Sequence, residues 1–182
     1  MAKRFFDIFF SFLMLVFASG IIFLAWIIVC IDTKSNGFFL QKRVGQNGKL
    51  FTIYKLKTIH PISGKSSNLG NFLRKSKLDE LPQLLNVFFG EMSFVGPRPD
   101  IPGYYDLLEG ENRKILELKP GITSIASIKY REEDTLLSQQ KEPLRYNDTI
   151  LFPDKVKLNL EYYYNNSILG DIKILWKTIF TD

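Results

Sequence analysis

Asp79 and Glu80 stand side by side in a basic setting, with Arg74, Lys75 and Lys77 before them and Arg98 after them in a Gly96-Pro97-Arg98-Pro99 run. Paired carboxylates can hold a divalent cation, move a proton or attack an electrophilic centre. Arginine forks near them favour phosphate as the group being handled, and the two prolines of the second run fix the backbone that carries Arg98. The same residues also fit a capped helix with two surface ion pairs, each worth about 0–1 kcal/mol. Glycoside hydrolysis is disfavoured, because adjacent carboxylates at one helix end do not flank a sugar ring at the roughly 5–9.5 Å it requires. His60 is the sole histidine and Cys30 the sole cysteine. That excludes a two-histidine zinc site, a multi-cysteine metal site and an intramolecular disulfide.

These side chains need elements to hold them. Leu81, Leu84, Leu85, Phe88 and Phe89 recur at helical spacing, and Pro82 suits one of the first helical positions, so a helix is expected with Asp79 as its N-cap. A short helix over Leu69–Lys75 precedes it, reached through a Ser-, Gly- and Pro-rich loop from His60 to Asn68. Phe38–Arg43 and Leu50–Lys55 read as strands joined through Val44-Gly45-Gln46-Asn47-Gly48, whose Asn-Gly pair is a strong hairpin signal.

From Ile8 to Ile31 there is no charge, a run able to reach about 36 Å as a straight helix against a hydrocarbon core of about 30 Å. Lys3 and Arg4 precede the run, while Lys34, Lys42, Arg43 and Lys49 follow it, so both flanks favour the cytoplasmic face. A re-entrant helix that turns near Ala18-Ser19-Gly20 satisfies both, with Ser19 and Gly20 as the break. A simple span remains open. So does a signal peptide, although the apolar run continues past its candidate cleavage site. The net charge of +5 fits an anionic lipid surface or nucleic acid. No helix-turn-helix, zinc or aromatic RNA-binding pattern accompanies it, so membrane lipid is the expected partner and nucleic acid is not.

The string Leu73-Arg74-Lys75-Ser76-Lys77-Leu78-Asp79-Glu80-Leu81-Pro82-Gln83, with Asn86-Val87 and Gly90-Glu91-Met92-Ser93-Phe94-Val95-Gly96-Pro97-Arg98-Pro99, closely resembles the bacterial sugar transferase family, the monotopic phosphoglycosyl transferases. Gln41, Arg43, Gly45, Gly48, Phe51 and Lys55 match its pattern. Lys57 stands where the family has Arg, keeping the charge without the bidentate fork. Lys119-Pro120-Gly121-Ile122-Thr123 also matches, and beyond it only Ala126 and Arg131 are kept. Ser167, Asp171 and Ile174 match near the C-terminus. Ser19 aligns with the serine of the family's membrane break, and Gly20 replaces its proline.

The resemblance implies transfer of a sugar 1-phosphate from a UDP-sugar to a polyprenyl phosphate (undecaprenyl phosphate), with release of UMP and with magnesium (Mg2+) as cofactor. Asp79 would be the nucleophile, with Glu80 a metal ligand or proton acceptor; Arg74, Arg98, Lys57 and Arg131 would bind phosphate or substrate. The protein would sit on the bacterial inner membrane with its catalytic part on the cytoplasmic face. A non-enzymatic, membrane-anchored adaptor is the alternative.

Further expectations concern the C-terminal half. Tyr104–Leu118 fits a surface helix, Glu132–Asn147 a solvated or mobile segment, and Pro153 opens a helix through Asn165. Ile168–Phe180 is amphipathic and suits either a membrane surface or a core. The expected fold is α/β of the α+β kind and mostly helical. It has an N-terminal re-entrant membrane helix (1–36), then a catalytic domain (37–182) with a short β-hairpin and amphipathic surface helices.

Overall fold

Uncharged apolar residues with no proline favour one long helix, and the computed structural model, which describes residues 1–180, has α1 over Ala2–Thr33. The hairpin follows as β1 (Phe38–Val44) and β2 (Leu50–Leu56), turned by Gln46–Gly48 with Asn47 and Gly48 at positive φ. Next come α2 (Asn68–Lys75), a 3-10 turn over Leu78–Glu80 and α3 (Gln83–Phe89). β3 (Ser93–Val95) and β4 (Gly121–Thr123) bracket two 3-10 segments, Tyr105–Leu107 and Gly110–Glu117. The chain ends in α4 (Ile125–Lys129), α5 (Glu133–Ser138), α6 (Pro143–Tyr146), a π turn at Asn147–Leu151, α7 (Phe152–Asn165) and α8 (Ile168–Phe180). The fold is thus mostly helical α+β, with two small two-stranded sheets among the described residues.

The chain forms two compact units, residues 1–43 with 50–91, and residues 44–49 with 92 onward. In the first, α1 packs on the elements that carry the carboxylate pair. Ala25 and Val29 meet Leu56 and Leu73 in a buried cluster. At the other end, Arg4 donates to the Val87 and Phe88 carbonyls at 2.6 and 2.7 Å, a cation on the carbonyls of the last turn of α3. Asp7 and Ser11 are buried near one end of α1, and Ala25, Val29 and Thr33 near the other; between residues 12 and 24 nothing is.

The helix is not interrupted at Ser19-Gly20. Ser19 Oγ donates to the Val16 carbonyl at 2.8 Å, and glycine keeps the N–H that a proline would remove, so helical bonding continues through the expected break.

In the second unit, the core is built from Val44, Tyr105, Ile115, Leu116 and Val156. β3 and β4 pair in parallel, Ser93 opposite Gly121 and Val95 opposite Thr123. Gly96 N–H donates to the Thr123 carbonyl at 3.0 Å, and Gly121 N–H to the Pro97 carbonyl at 2.9 Å. The two backbones lie so close that a Cβ on either glycine would collide with the opposing chain.

One expectation changes here and two are refined. Tyr104–Leu118 is 3-10 rather than α-helical, interrupted by Gly110 at positive φ and stopped by extended Leu118. Glu132–Asn147 is solvated along its length, as expected, but carries the short helices α5 and α6, α5 being tied to α7 by a Glu133–Lys155 ion pair of 2.6 Å. Pro153 lies in the first turn of α7, which runs to Asn165 as expected; ahead of it helical backbone already runs from Pro143, and the widened π turn falls where proline supplies no donor.

α8 settles as an amphipathic surface helix. Ile174 and Asp171 face inward, with Tyr162 O–H donating to Asp171 at 2.5 Å, while Leu169, Ile172, Trp176, Ile179 and Phe180 are exposed beside Lys173 and Lys177.

Candidate active site

Ser67 begins α2 by accepting from Gly70 N–H, and the helix ends with Arg74 and Lys75 in its last turn. Lys77 then takes a left-handed conformation, φ 57°, reversing the chain into the turn that holds Asp79 and Glu80. Asp79 is therefore not the N-cap of a helix, as its spacing suggested. It sits inside the 3-10 turn that Lys77 caps, and Pro82 occupies the N-cap of α3. Leu81 and Pro82 stay in right-handed backbone, so turn and helix are nearly continuous, which the apolar periodicity alone did not resolve.

The two carboxylates have different surroundings. Asp79 is buried, with Oδ1 lacking a hydrogen-bond partner. Burial, followed by the neighbouring Glu80 charge, pushes its carboxyl above the ordinary value, against the pull of Lys55, Lys77 and Arg74. Glu80 is bonded through Oε1 to Lys55 Nζ at 2.7 Å, the lysine arriving from β2. One turn on, Gln83 is also buried, and its Nε2 has no partner. A buried acceptor and a buried donor without partners each cost about 1–3 kcal/mol, a burden accepted at sites that complete their bonding with a ligand.

Of the residues singled out from sequence, Arg74, Asp79 and Glu80 come together in the first unit, Arg74 exposed and close enough for its charge to bear on Asp79. Lys57 follows β2, its backbone N–H bonded to the Gly37 carbonyl at 2.8 Å. Arg98 and Arg131 belong to the second unit. Arg98 lines a small cavity with Val44, Pro97, Pro99 and Pro120, and Arg131 donates to the Thr178 carbonyl at 2.8 Å near the end of α8. Lys55 and Gln83 have no role in the sequence reading although both lie within matched motifs; the basic-next-to-acidic pattern that marks Arg74 carries no signal for a partner 25 residues away on a strand.

Among the described residues no group of three or more His, Cys, Asp or Glu side chains converges as a metal cage. Asp79 and Glu80 suit a magnesium ion that takes one or two protein carboxylates and draws its other ligands from water and phosphate, and the unpartnered Asp79 Oδ1 is such an oxygen.

Comparison with known proteins gives a consistent picture. The family model for bacterial sugar transferases matches residues 1–181. The chain is 35% identical over 187 residues to the uncharacterized sugar transferase EpsL of Bacillus subtilis, covering 97% of this chain and 85% of that one. It is 36% identical over 121 residues to a putative undecaprenyl-phosphate N-acetylgalactosaminyl 1-phosphate transferase of the same organism, covering 60% of this chain and 68% of the relative. Against the UDP-glucose:undecaprenyl-phosphate glucose-1-phosphate transferase of Klebsiella pneumoniae it is 33% identical over 196 residues; 98% of this chain is aligned but only 39% of that longer protein.

Proposed function

Because the chain belongs to the bacterial sugar transferase family, we propose that it moves a sugar 1-phosphate from a UDP-sugar to a membrane polyprenyl phosphate, with Asp79 as a covalent nucleophile. The observation that carries this reading is the asymmetry of the carboxylate pair. Asp79 is buried with one oxygen uncommitted, while Glu80 is held by Lys55.

In the first step a carboxylate oxygen of Asp79 attacks the β-phosphorus of the UDP-sugar. The bond from that phosphorus to the bridging oxygen breaks, and UMP leaves with the electron pair. In the second step an oxygen of the polyprenyl phosphate attacks the same phosphorus, and the Asp79 carboxylate departs, leaving a polyprenyl diphosphosugar. Splitting the transfer lets a soluble and a lipid substrate use one small site in turn. Repulsion between carboxylate and diphosphate is offset by Lys55, Lys77 and Arg74, the cations that already bear on Asp79. A magnesium ion bound by Asp79, Glu80 or both would add charge neutralisation on the diphosphate. Gln83 Nε2 offers a buried donor for a phosphoryl oxygen.

The membrane is served by two surfaces. α1 is packed at both ends against the unit that bears the carboxylates while its middle is apolar and exposed, an arrangement that supports both ends lying on one face, the cytoplasmic one. α8 presents Trp176 and Phe180 at a headgroup boundary. A panel of UDP-sugars scored for UMP release, with and without polyprenyl phosphate, tests the reading. Release with at least one sugar is expected, and none with any sugar would favour a non-enzymatic lipid-bound adaptor.

A further inference from the structure

Asn86 lies on α3, fully buried, and its side chain is bonded to a strand rather than to its own helix. Its Oδ1 accepts from Tyr54 N–H at 3.1 Å, and its Nδ2 donates to the Thr52 carbonyl at 2.7 Å. Residues i and i+2 of a strand point these groups to the same edge, so the carboxamide occupies the place of one residue in a parallel ladder. It satisfies the edge of β2 that would otherwise be left unpaired. The second Nδ2 proton goes to Glu91 Oε2 at 2.7 Å, and Glu91 N–H is itself bonded to the Asn86 carbonyl at 2.9 Å, which fixes the amide orientation.

We infer that Asn86 is a positioning residue for the transfer reaction: by locking α3 against β2 it sets the reach between Lys55, one residue past Tyr54, and Glu80 beside Asp79. This rests on the function proposed above. Aliphatic packing alone would hold helix and strand together yet leave them free to slide. Two hydrogen bonds to a strand edge select one register, and in that register Lys55 Nζ meets Glu80 Oε1 at 2.7 Å. Asn86→Ala removes the lock and leaves the Thr52 carbonyl and Tyr54 N–H unpaired, so α3 drifts and the ion pair loosens.

The test uses the full chain in lipid nanodiscs. Lys55 acylation by a brief pulse of acetic anhydride is read by peptide mass spectrometry, with exposed Lys49 as internal reference. Glu80→Gln gives the rate for Lys55 without the Glu80 charge opposite it. Val87→Ala, an equally buried neighbour with no side-chain polar bonds, serves as the purely structural control. Asn86→Ala should raise Lys55 acylation several-fold towards the Glu80→Gln rate and lower kcat by about a hundredfold, with KM changed only a few-fold; Val87→Ala should do neither. Should Asn86→Ala fail to fold, Asn86→Ser, whose hydroxyl can keep one of the two strand bonds, should give an intermediate acylation rate and an intermediate kcat. Acylation and kcat indistinguishable from Val87→Ala in whichever variant folds would overturn the inference. Absence of UMP release by the unmodified protein would instead count against the transfer reaction, and the acylation rates would still decide whether Asn86 sets the ion pair.

Discussion

Lys55 Nζ and Glu80 Oε1 lie 2.7 Å apart, both side chains largely shielded from water, so a strand residue neutralises one member of the carboxylate pair and leaves the other to its own surroundings. Adjacent, chemically similar groups can then take different roles. Lys55 also pulls the Asp79 carboxyl down, against burial. Lys55→Met should therefore push Asp79 further up, moving the acid limb of the kcat/KM profile to higher pH, and should lower turnover at neutral pH by about 10–100-fold. A pH–rate series on both proteins checks this; an unmoved acid limb would detach Lys55 from the reacting group.

Asp79 itself should be costly to the fold. Its carboxyl is raised above 3.8, chiefly by burial. A raised acid binds its proton more tightly folded than unfolded, so its favourable contribution is complete below pH 3.8 and is lost as pH rises through the folded value. Asp79→Asn carries no charge at any pH. It should have a higher Tm than the unmodified protein at pH 7, the gap closing as pH falls towards 3.8. Thermal unfolding across that range decides, and a lower Tm at pH 7 would contradict it.

Gly96 and Gly121 should be intolerant for a different reason. Neither has positive φ, and a Cβ on either would strike the opposing backbone. Gly96→Ala and Gly121→Ala should each destabilise by about 1–3 kcal/mol through overpacking. Denaturant midpoints measure it; unchanged midpoints would mean that the β3–β4 crossing yields freely.

The topology of α1 is open to chemical labelling. With Cys30 replaced and a cysteine placed at residue 2, an impermeant thiol reagent should fail to modify intact cells and should react after permeabilisation. Modification in intact cells would mean that the helix spans the membrane.

Much of this was legible beforehand where period and punctuation agree. The hairpin follows from its Asn-Gly pair, α2 from the end of the Ser-, Gly- and Pro-rich loop before it, and α8 from its amphipathic stripe. The sheet of β3 and β4 was not, because three-residue strands from Gly-rich motifs separated by 25 residues carry no alternation, and only their backbone pairing reveals them. The sequence singles out Asp79 but not its local geometry, since a proline after two acidic residues signals a helix start without distinguishing a 3-10 turn capped by left-handed Lys77. Glu132–Asn147 is solvated as its charge pattern implies, but its short helices carry no local signal, and α5 is held by the Glu133–Lys155 contact, which local sequence does not encode.

Covalent participation of Asp79 is the central claim, and the most direct measurement is mass spectrometry of the peptide containing Asp79 and Glu80 after exposure to a labelled UDP-sugar without lipid acceptor. The account predicts a phosphosugar adduct that is absent in Asp79→Asn, still formed slowly in Glu80→Gln, and discharged when polyprenyl phosphate is added. An adduct that survives in Asp79→Asn and vanishes in Glu80→Gln would reverse the assignment, and turnover with no adduct under any condition would contradict the covalent mechanism.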